Sequence, residues 1–535
     1  MRLHSHGNNY VGSVHWAPVL DSISELRDHY EEEEEARMLA TNDHMRHHVG
    51  GPRLLYEPVL ATKADLVASI PARPVVDRMV ARYFNARGVV PEIVHSGRFL
   101  QEYERFWLEP AAASYIWIGL LCSVMCLSTQ YQQWIGDSAD PETPVRVQLF
   151  QEQTVHCLVL GQYTRGVDYV LETIINYLVS ETFLSQDDDI GIWLVHGMLV
   201  QLALSRGYHR DPRNFSKTSI FAGEMRRRVW AVIVQIDLRL SGQMALPRLL
   251  KLQQYDTAEP RNLLDTDFNE DTVELPPSRP ETEITPVLYS LAKNRIDKMN
   301  GPVNDTQEHP YTEIMELHHK LEKLGDSLPP VFKWQPLSQS FMVQPQIVMH
   351  RVLLQLSIQR TVIWLHRKYL APSYTQAHYA SSRSACIQAA IKILELQQIV
   401  EEETQRDGLL YPVRWMFMSS RLRAVFLLGI SILCYYVQLV KSSPDVSLDQ
   451  DTGTLIHTLL CDTYPLWLRL STVPRDVQRV VEHLRALLGL TGGQEGVARL
   501  ASFPTVVSSL FMTPQDAAES LDQFRNQIYE GNRMK

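Results

Sequence analysis

Three clusters along this chain have the side-chain types that chemistry needs. Asp187-Asp188-Asp189 groups carboxylates of the kind that can hold Mg²⁺ against a diphosphate on an all-α scaffold. Such an ion needs several carboxylates converging on one cavity. Adjacent aspartates at a helix start point in different directions, and no second carboxylate set follows nearby at helical spacing, so helix capping is the simpler reading. His44, His47 and His48 beside Asp43 would place His44 and His48 one helical turn apart. Their polar surroundings precede the packed region and offer no fixed ligand cage, so a solvated segment is expected. Gly489-Leu490-Thr491-Gly492-Gly493-Gln494-Glu495-Gly496 has the glycines of a phosphate loop but follows a helix and carries no lysine, which makes it a helix stop. There is no Gly-x-Ser-x-Gly elbow and no His-Glu-x-x-His helix. No catalytic residue, metal ligand or DNA-reading residue is expected within these residues.

The densest charge cluster lies on a helix. Glu224-Met225-Arg226-Arg227-Arg228-Val229-Trp230 leads into Val229, Ile233, Ile236 and Leu240 at core-facing helical spacing. Asp237 lies four residues after Ile233 and three before Leu240, so it points inward with them. A carboxylate there is costly unless it is paired. Its expected partner is Arg206 or one of Arg226, Arg227 and Arg228. The three arginines beside Trp230 are expected to serve ion pairs and stacking ahead of an import signal or phosphate contact. Leu246-Pro247-Arg248 closes the segment.

This pattern resembles the regulatory domain, or middle homology region, of fungal transcription factors of the binuclear zinc cluster class. The resemblance rests on Glu224 to Trp230 (with Arg226, Arg227 and Arg228), on Asp237, on Leu246-Pro247, and on the acidic stretch ending Glu274-Leu275-Pro276. Gly207-Tyr208-His209-Arg210-Asp211-Pro212 fits the turn preceding the motif, and His366-Arg367-Lys368-Tyr369-Leu370 resembles a further recurring segment. The resemblance covers about 74–370 and is looser beyond. It implies a helical module for effector response and partner contacts, a nuclear setting, and control of a fungal metabolic pathway. The partners it implies are a full-length zinc-cluster factor or co-regulator and a small-molecule effector, with DNA reached only indirectly.

The family's reading head needs six cysteines packed within about thirty to forty residues around two zinc ions. The six cysteines here, Cys122, Cys126, Cys157, Cys386, Cys434 and Cys461, are scattered over the chain. The reader is therefore expected to be absent, or lost through a misassigned first exon, and zinc is expected only if such a cluster exists. An all-α enzyme or small-molecule receptor with no DNA role is the alternative.

Composition narrows the class further. The 535 residues carry a formal net charge of −10, against broad electrostatic adhesion to nucleic acid. Few, dispersed cysteines suit an intracellular chain with reduced thiols. Met1 to His6 is polar and leads into no apolar signal core. Tyr115 to Ser128 is too short to span a bilayer, and Ala424 to Val440 contains Ser431 and Gln438, so both are expected as buried helices and no membrane is expected as a partner.

Helical spacing dominates, and the expected fold class is all-α: a large helical regulatory-domain-like fold with a proline-rich acidic loop. Residues 1–60 read as a polar segment with a linker helix over Asp21 to Arg37, whose glutamate run forms a solvated face. Residues 61–535 read as the helical domain, with its C-terminal helical part at about 371–535. Helices are expected at Val75 to Phe84, around Ile192 to Leu202 ending at Gly207, at Ile314 to Leu324, at Val477 to Leu488, and from Pro514 to about Tyr529. Asp256 to Pro286, rich in acids and proline, is expected to drape over the helical body and pair with its arginines. Lys293 to Pro310 is expected as a second flexible connection.

Overall fold

The computed structural model describes residues 2–3, 10–11 and 52–488, with gaps at 57–58, 60, 87–90, 136–141, 185–189, 245, 300–308, 418–419, 442–449 and 471–474. Asp21 to Arg37, the His44 group, Asp187 to Asp189, the 489–496 glycines and the Pro514 helix lie outside the described residues. The described body is all-α. A two-residue antiparallel pair joins Arg2–Leu3 to Tyr10–Val11.

Two cores organise the helices. The first gathers α1 (Arg53–Tyr56), α2 (Lys63–Ala68), α3 (Arg73–Asn85), α4 (Ser96–Leu108), α5 (Tyr115–Ile135), α6 (Glu142–Leu160), α7 (Val170–Leu184), α8 (Ile190–Ser205) and α9 (Ile220–Met244). At its centre, α5 is packed on α3, α6 and α7. Cys122, Leu121, Val124 and Met125 are shut away from water there, so Tyr115 to Ser128 is a core helix. The second core gathers α10 (Leu288–Lys298), α11 (Tyr311–Asp326), α12 (Pro345–His366), α13 (Ala380–Glu403), α14 (Ser420–Lys441), α15 (Gln450–Leu470) and α16 (Arg475–Leu488). By length and composition α14 could cross a membrane. Its Leu427, Leu428, Ile430, Ile432 and Leu433 are instead buried among α12, α13 and α16.

Local chemistry explains the boundaries. Pro74 opens α3 where its missing N–H costs nothing. Thr62 and Asp65 form a reciprocal cap on α2. The C-terminus of α8 is closed by Gly207 at φ +71°. The Tyr208 amide donates to the Ala203 carbonyl and the Gly207 amide to that of Leu204, each at 3.0 Å, a left-handed glycine closure.

The cores meet along α9, α10 and α12. A Cβ on Gly242 of α9 would stand 2.5 Å from the Trp364 ring of α12, so the absent side chain permits this approach. One expectation is corrected here. Lys293 to Pro310 is not a single flexible connection, because its first residues complete α10. Leu288, Leu291, Ala292 and Ile296 bury that helix. Lys293 reaches Asp297 one turn on at 2.7 Å, and Arg360 of α12 adds a third member at 3.4 Å. Two buried polar side chains, Asn294 and Asp297, interrupt the apolar spacing and hid the helix.

Candidate functional site

The Glu224–Trp230 cluster occupies the first half of α9, and each of its charged side chains leaves in a different direction. Glu224 and Arg228, one turn apart, are fully buried. Arg228 Nη1 donates to Asp265 at 2.6 Å and Nη2 to the Leu263 carbonyl at 3.2 Å, while its guanidinium lies over the Phe268 ring at 4.9 Å. Burial raises the Asp265 carboxyl, but Arg228 and the Ser96 amide outweigh it and hold it below the usual value. Glu224 accepts the Arg261 amide at 2.9 Å. Burial still raises its carboxyl, against the pull of Arg228.

Arg227 turns to the segment joining α8 and α9. Its Nε and Nη2 reach the two oxygens of Asp211 at 3.2 and 3.0 Å, a bidentate pair. Asp211 also accepts the Ala258 amide at 3.0 Å and the Arg213 side chain at 2.8 Å. Burial works against ionisation there and is outweighed, so the carboxyl sits well below its ordinary range. Arg226 takes a third direction, with its guanidinium over the Tyr208 ring at 4.7 Å and one donor on the Arg206 carbonyl at 3.1 Å.

The acidic segment drapes over the helix as expected, held directly by Arg228 and, through Asp211, beside Arg227. Asp256 accepts from the Asp211 amide at 2.7 Å and from Arg210 at 3.1 Å. Asp267 pairs with Arg279 at 2.6 Å, Glu281 with Arg295 at 2.7 Å, and Glu259 with Lys298 at 2.7 Å. Leu263 and Phe268 form a small core with Phe221 of α9, against which Met225 and Leu275 pack. Asn262 crosslinks the strap through the carbonyls of Arg279 and Pro280 and through Thr285. His95 caps α4 by accepting the Arg98 amide on Nδ1, which puts the proton on Nε2, 3.1 Å from the Phe268 carbonyl.

Asp237 is buried as expected, but its expected partners are corrected. Neither Arg206 nor Arg226, Arg227 or Arg228 reaches it. His196 Nε2 lies 3.2 Å from Oδ1 and Arg248 Nε 3.9 Å from Oδ2. The amides of Leu249 and Leu250 donate to its two oxygens at 3.1 Å each. The physical reason is distance along the helix: Asp237 lies more than two turns from the arginines. The turn after α9 folds back, with the Leu246 amide on the Ser241 carbonyl at 3.0 Å. Pro247, itself exposed, starts the return that delivers those amides. Trp230 is buried and meets Tyr255 edge-on at 5.5 Å.

His366, the last residue of α12, is remote from this cluster. Its Nδ1 lies 2.8 Å from Ser382 Oγ and its Nε2 3.0 Å from His318. Burial, then His318, pushes its pKa down to about 4. Burial likewise lowers Arg367, to about 10. The structure thus brings Glu224 to Trp230 together with the acidic strap, places Asp237 beyond them on the same helix, and leaves His366 and Arg367 in the second core. Sequence reasoning missed His196, Arg248 and Asp265 as partners, and Asp211 as the acceptor of Arg227. Arg248 and Asp211 stand inside the quoted motifs; His196 carried no signal.

The cysteines do not fit a zinc cluster. Cys122 and Cys126 lie one turn apart on α5 with Cys157 of α6 against Cys122, while Cys386 and Cys434 are buried in the second core, where burial pushes both up to about 12. No group of three His, Cys, Asp or Glu side chains among the described residues could hold a metal.

Residues 82–323, which include α9 and the strap, match the fungal specific transcription factor domain. Over 494 residues the chain is 48% identical to the transcription factor cghF of Chaetomium globosum, covering 92% of this chain and 89% of the relative. It is 44% identical to the pyrrolocin cluster transcription factor fsdR of Fungal sp. (strain NRRL 50135), over 92% of this chain and 67% of the relative. It is 43% identical to the equisetin cluster transcription factor eqxF of Fusarium heterosporum, over 90% and 71%. No solved structure matches. Transcription factors, not enzymes, are what these residues resemble at nearly full length, and the chain belongs to the fungal transcription factors that carry the fungal-specific transcription factor domain.

Proposed function

We propose that the chain regulates transcription of a fungal secondary-metabolite gene cluster from the nucleus. The observation that carries this is the similarity, over 90% or more of this chain, to relatives named for such clusters, pyrrolocin and equisetin among them. Residues 61–535 act as one helical regulatory module, its signature part at about 74–370 and a helical C-terminal part at 371–535. Within it, Glu224, Arg226, Arg227, Arg228, Trp230, Asp237, Pro247, His366 and Arg367 have structural roles: Glu224, Arg228 and Trp230 dock the strap, Arg227 and Arg226 hold the turn before α9, Asp237 and Pro247 lock the end of α9, and His366 and Arg367 close α12. A net charge of −10 and dispersed cysteines favour contact with DNA through a full-length zinc-cluster factor or co-regulator. A small-molecule effector acts on the module.

Deleting the gene and profiling transcripts tests the reading. The expected result is a coordinated fall in transcripts of one contiguous set of biosynthetic genes, restored by re-introducing the chain. Unchanged expression of every such set, or a fluorescent fusion excluded from nuclei, would overturn it.

A further inference from the structure

Among the six arginines from Arg206 to Arg228, two behave unlike the other four. Arg210, Arg213, Arg227 and Arg228 each hold an aspartate. Arg206 and Arg226 are paired with no carboxylate among the described residues. Arg206 donates to the carbonyls of Val167 and Tyr163, and Arg226 to that of Arg206. A guanidinium has more N–H donors than these bonds use. Both line a cleft of about 570 Å³ between the starts of α7 and α9. That volume falls in the range of roughly 300–1,000 Å³ typical of small-molecule sites.

The cleft's chemistry is lopsided. Arg98, Arg206, Lys217 and Arg226 line it against Asp168 and Glu172, in a chain whose overall balance is acidic. Arg98 is already held by Glu102 at 3.1 Å and Glu270 at 3.3 Å. Burial, with Asp168 nearby, pushes the Glu172 carboxyl up to about 7, so near neutrality its charge is only partly present. Both helices begin at the cleft's edge and add positive potential there. The remaining wall is aromatic and apolar: Tyr169, Tyr208, Phe221, Met225 and Val167. Tyr169 is held at φ +64°, a conformation a bulky residue adopts only under constraint. Its hydroxyl is tied to Glu102 at 2.9 Å and its ring lies under the Arg98 guanidinium at 5.0 Å.

We propose that this cleft binds a small organic anion: a carboxylic or acidic enol group held by Arg206, Arg226 and Lys217, with a flat unsaturated body along Tyr169, Tyr208 and Phe221. Arg226 is already oriented by its stacking on Tyr208, so little ordering is needed when the anion arrives. The strap takes part. Phe221 and Met225 face both the cleft and the small core of Leu263 and Phe268, and Glu270 of the strap holds Arg98. The proposal deepens the effector clause of the function above and rests on it only for its regulatory meaning. The binding experiment can fail while transcriptional control stands, and the reverse.

Calorimetry on the full chain tests it, with naphthalene-2-carboxylate and 4-hydroxycoumarin as probes and naphthalene-2-carboxamide and inorganic phosphate as controls. At least one of the two acids is expected to bind once per chain, at least about tenfold more tightly than the neutral amide, and without competition from phosphate. Lys217→Glu and Arg226→Gln should each weaken it by about tenfold or more. Lys217 is exposed, so its variant decides the matter if Arg226→Gln fails to fold. No heat with either acid, equal binding of acid and amide, full displacement by phosphate, or unchanged affinity in folded Lys217→Glu would each overturn the proposal.

Discussion

Asp237 is fully buried and accepts from His196 and two backbone amides, with Arg248 close by. Removing the carboxylate strands all of these donors at once. Asp237→Ala should therefore cost roughly 3–5 kcal/mol in urea unfolding, and Asp237→Asn, which keeps one acceptor, distinctly less. A variant that unfolds at the wild-type midpoint would refute this account. Glu172 makes the opposite case. Its folded pKa, about 7, lies above the ordinary 4.5 because burial penalises its charge. Below pH 4.5 both states hold the proton and the difference vanishes. Between 4.5 and 7 the unfolded chain ionises first, so stability falls as pH rises. Glu172→Gln should match the wild type near pH 4 and exceed it at about pH 8 by roughly 1–3 kcal/mol, partial solvent access trimming the upper figure. Equal melting at both pH values would contradict it.

At the scale of elements, helices with clean apolar spacing were legible in the sequence. Ile314, Leu317 and Leu321 placed α11, and Val477, Val480, Val481 and Leu484 placed α16. What failed was spacing interrupted by buried polar residues: Asn294 and Asp297 sit inside the protein and made α10 look like loop. Burial of Asp237 was legible from its register on α9, whereas His196 was not, because its contact crosses from one helix to another. Gly242 shows the same limit. A glycine inside a helix gives no hint of the Trp364 ring packed against it. Gly242→Ala should push that ring aside and cost roughly 1–3 kcal/mol in thermal unfolding. An unshifted melting curve would mean that α9 and α12 give way freely.

For the whole molecule, the two cores meet along α9, α10 and α12, and the strap runs across the first before entering the second through α10. Five of the six cysteines are buried in the two cores as small apolar groups, and Cys461 lies half-buried beside His457. Zinc needs thiolates converging on one point, and burial keeps Cys386 and Cys434 as thiols. Elemental analysis of the purified 535-residue chain should thus find less than one zinc per molecule. One tightly retained ion that survives chelation would show ligands gathered where none are expected. The family resemblance was legible because its motif is continuous along α9. The cleft beside it was not, since its walls come from α4, α7, α9 and the turns between them.

Of the nine acids between Asp256 and Pro286, Asp256, Glu259, Asp265, Asp267, Glu270, Glu281 and Glu283 each meet a base, and those bases come from α4, α9, α10, the Arg210 turn and the strap itself. A stretch rich in acids and proline is therefore bound position by position. Over evolutionary time its changes should come in couples: where a descendant loses Asp265 the residue at 228 should change as well, and likewise for Asp256 with 210 and Glu281 with 295, while Asp271 and Glu274 vary alone.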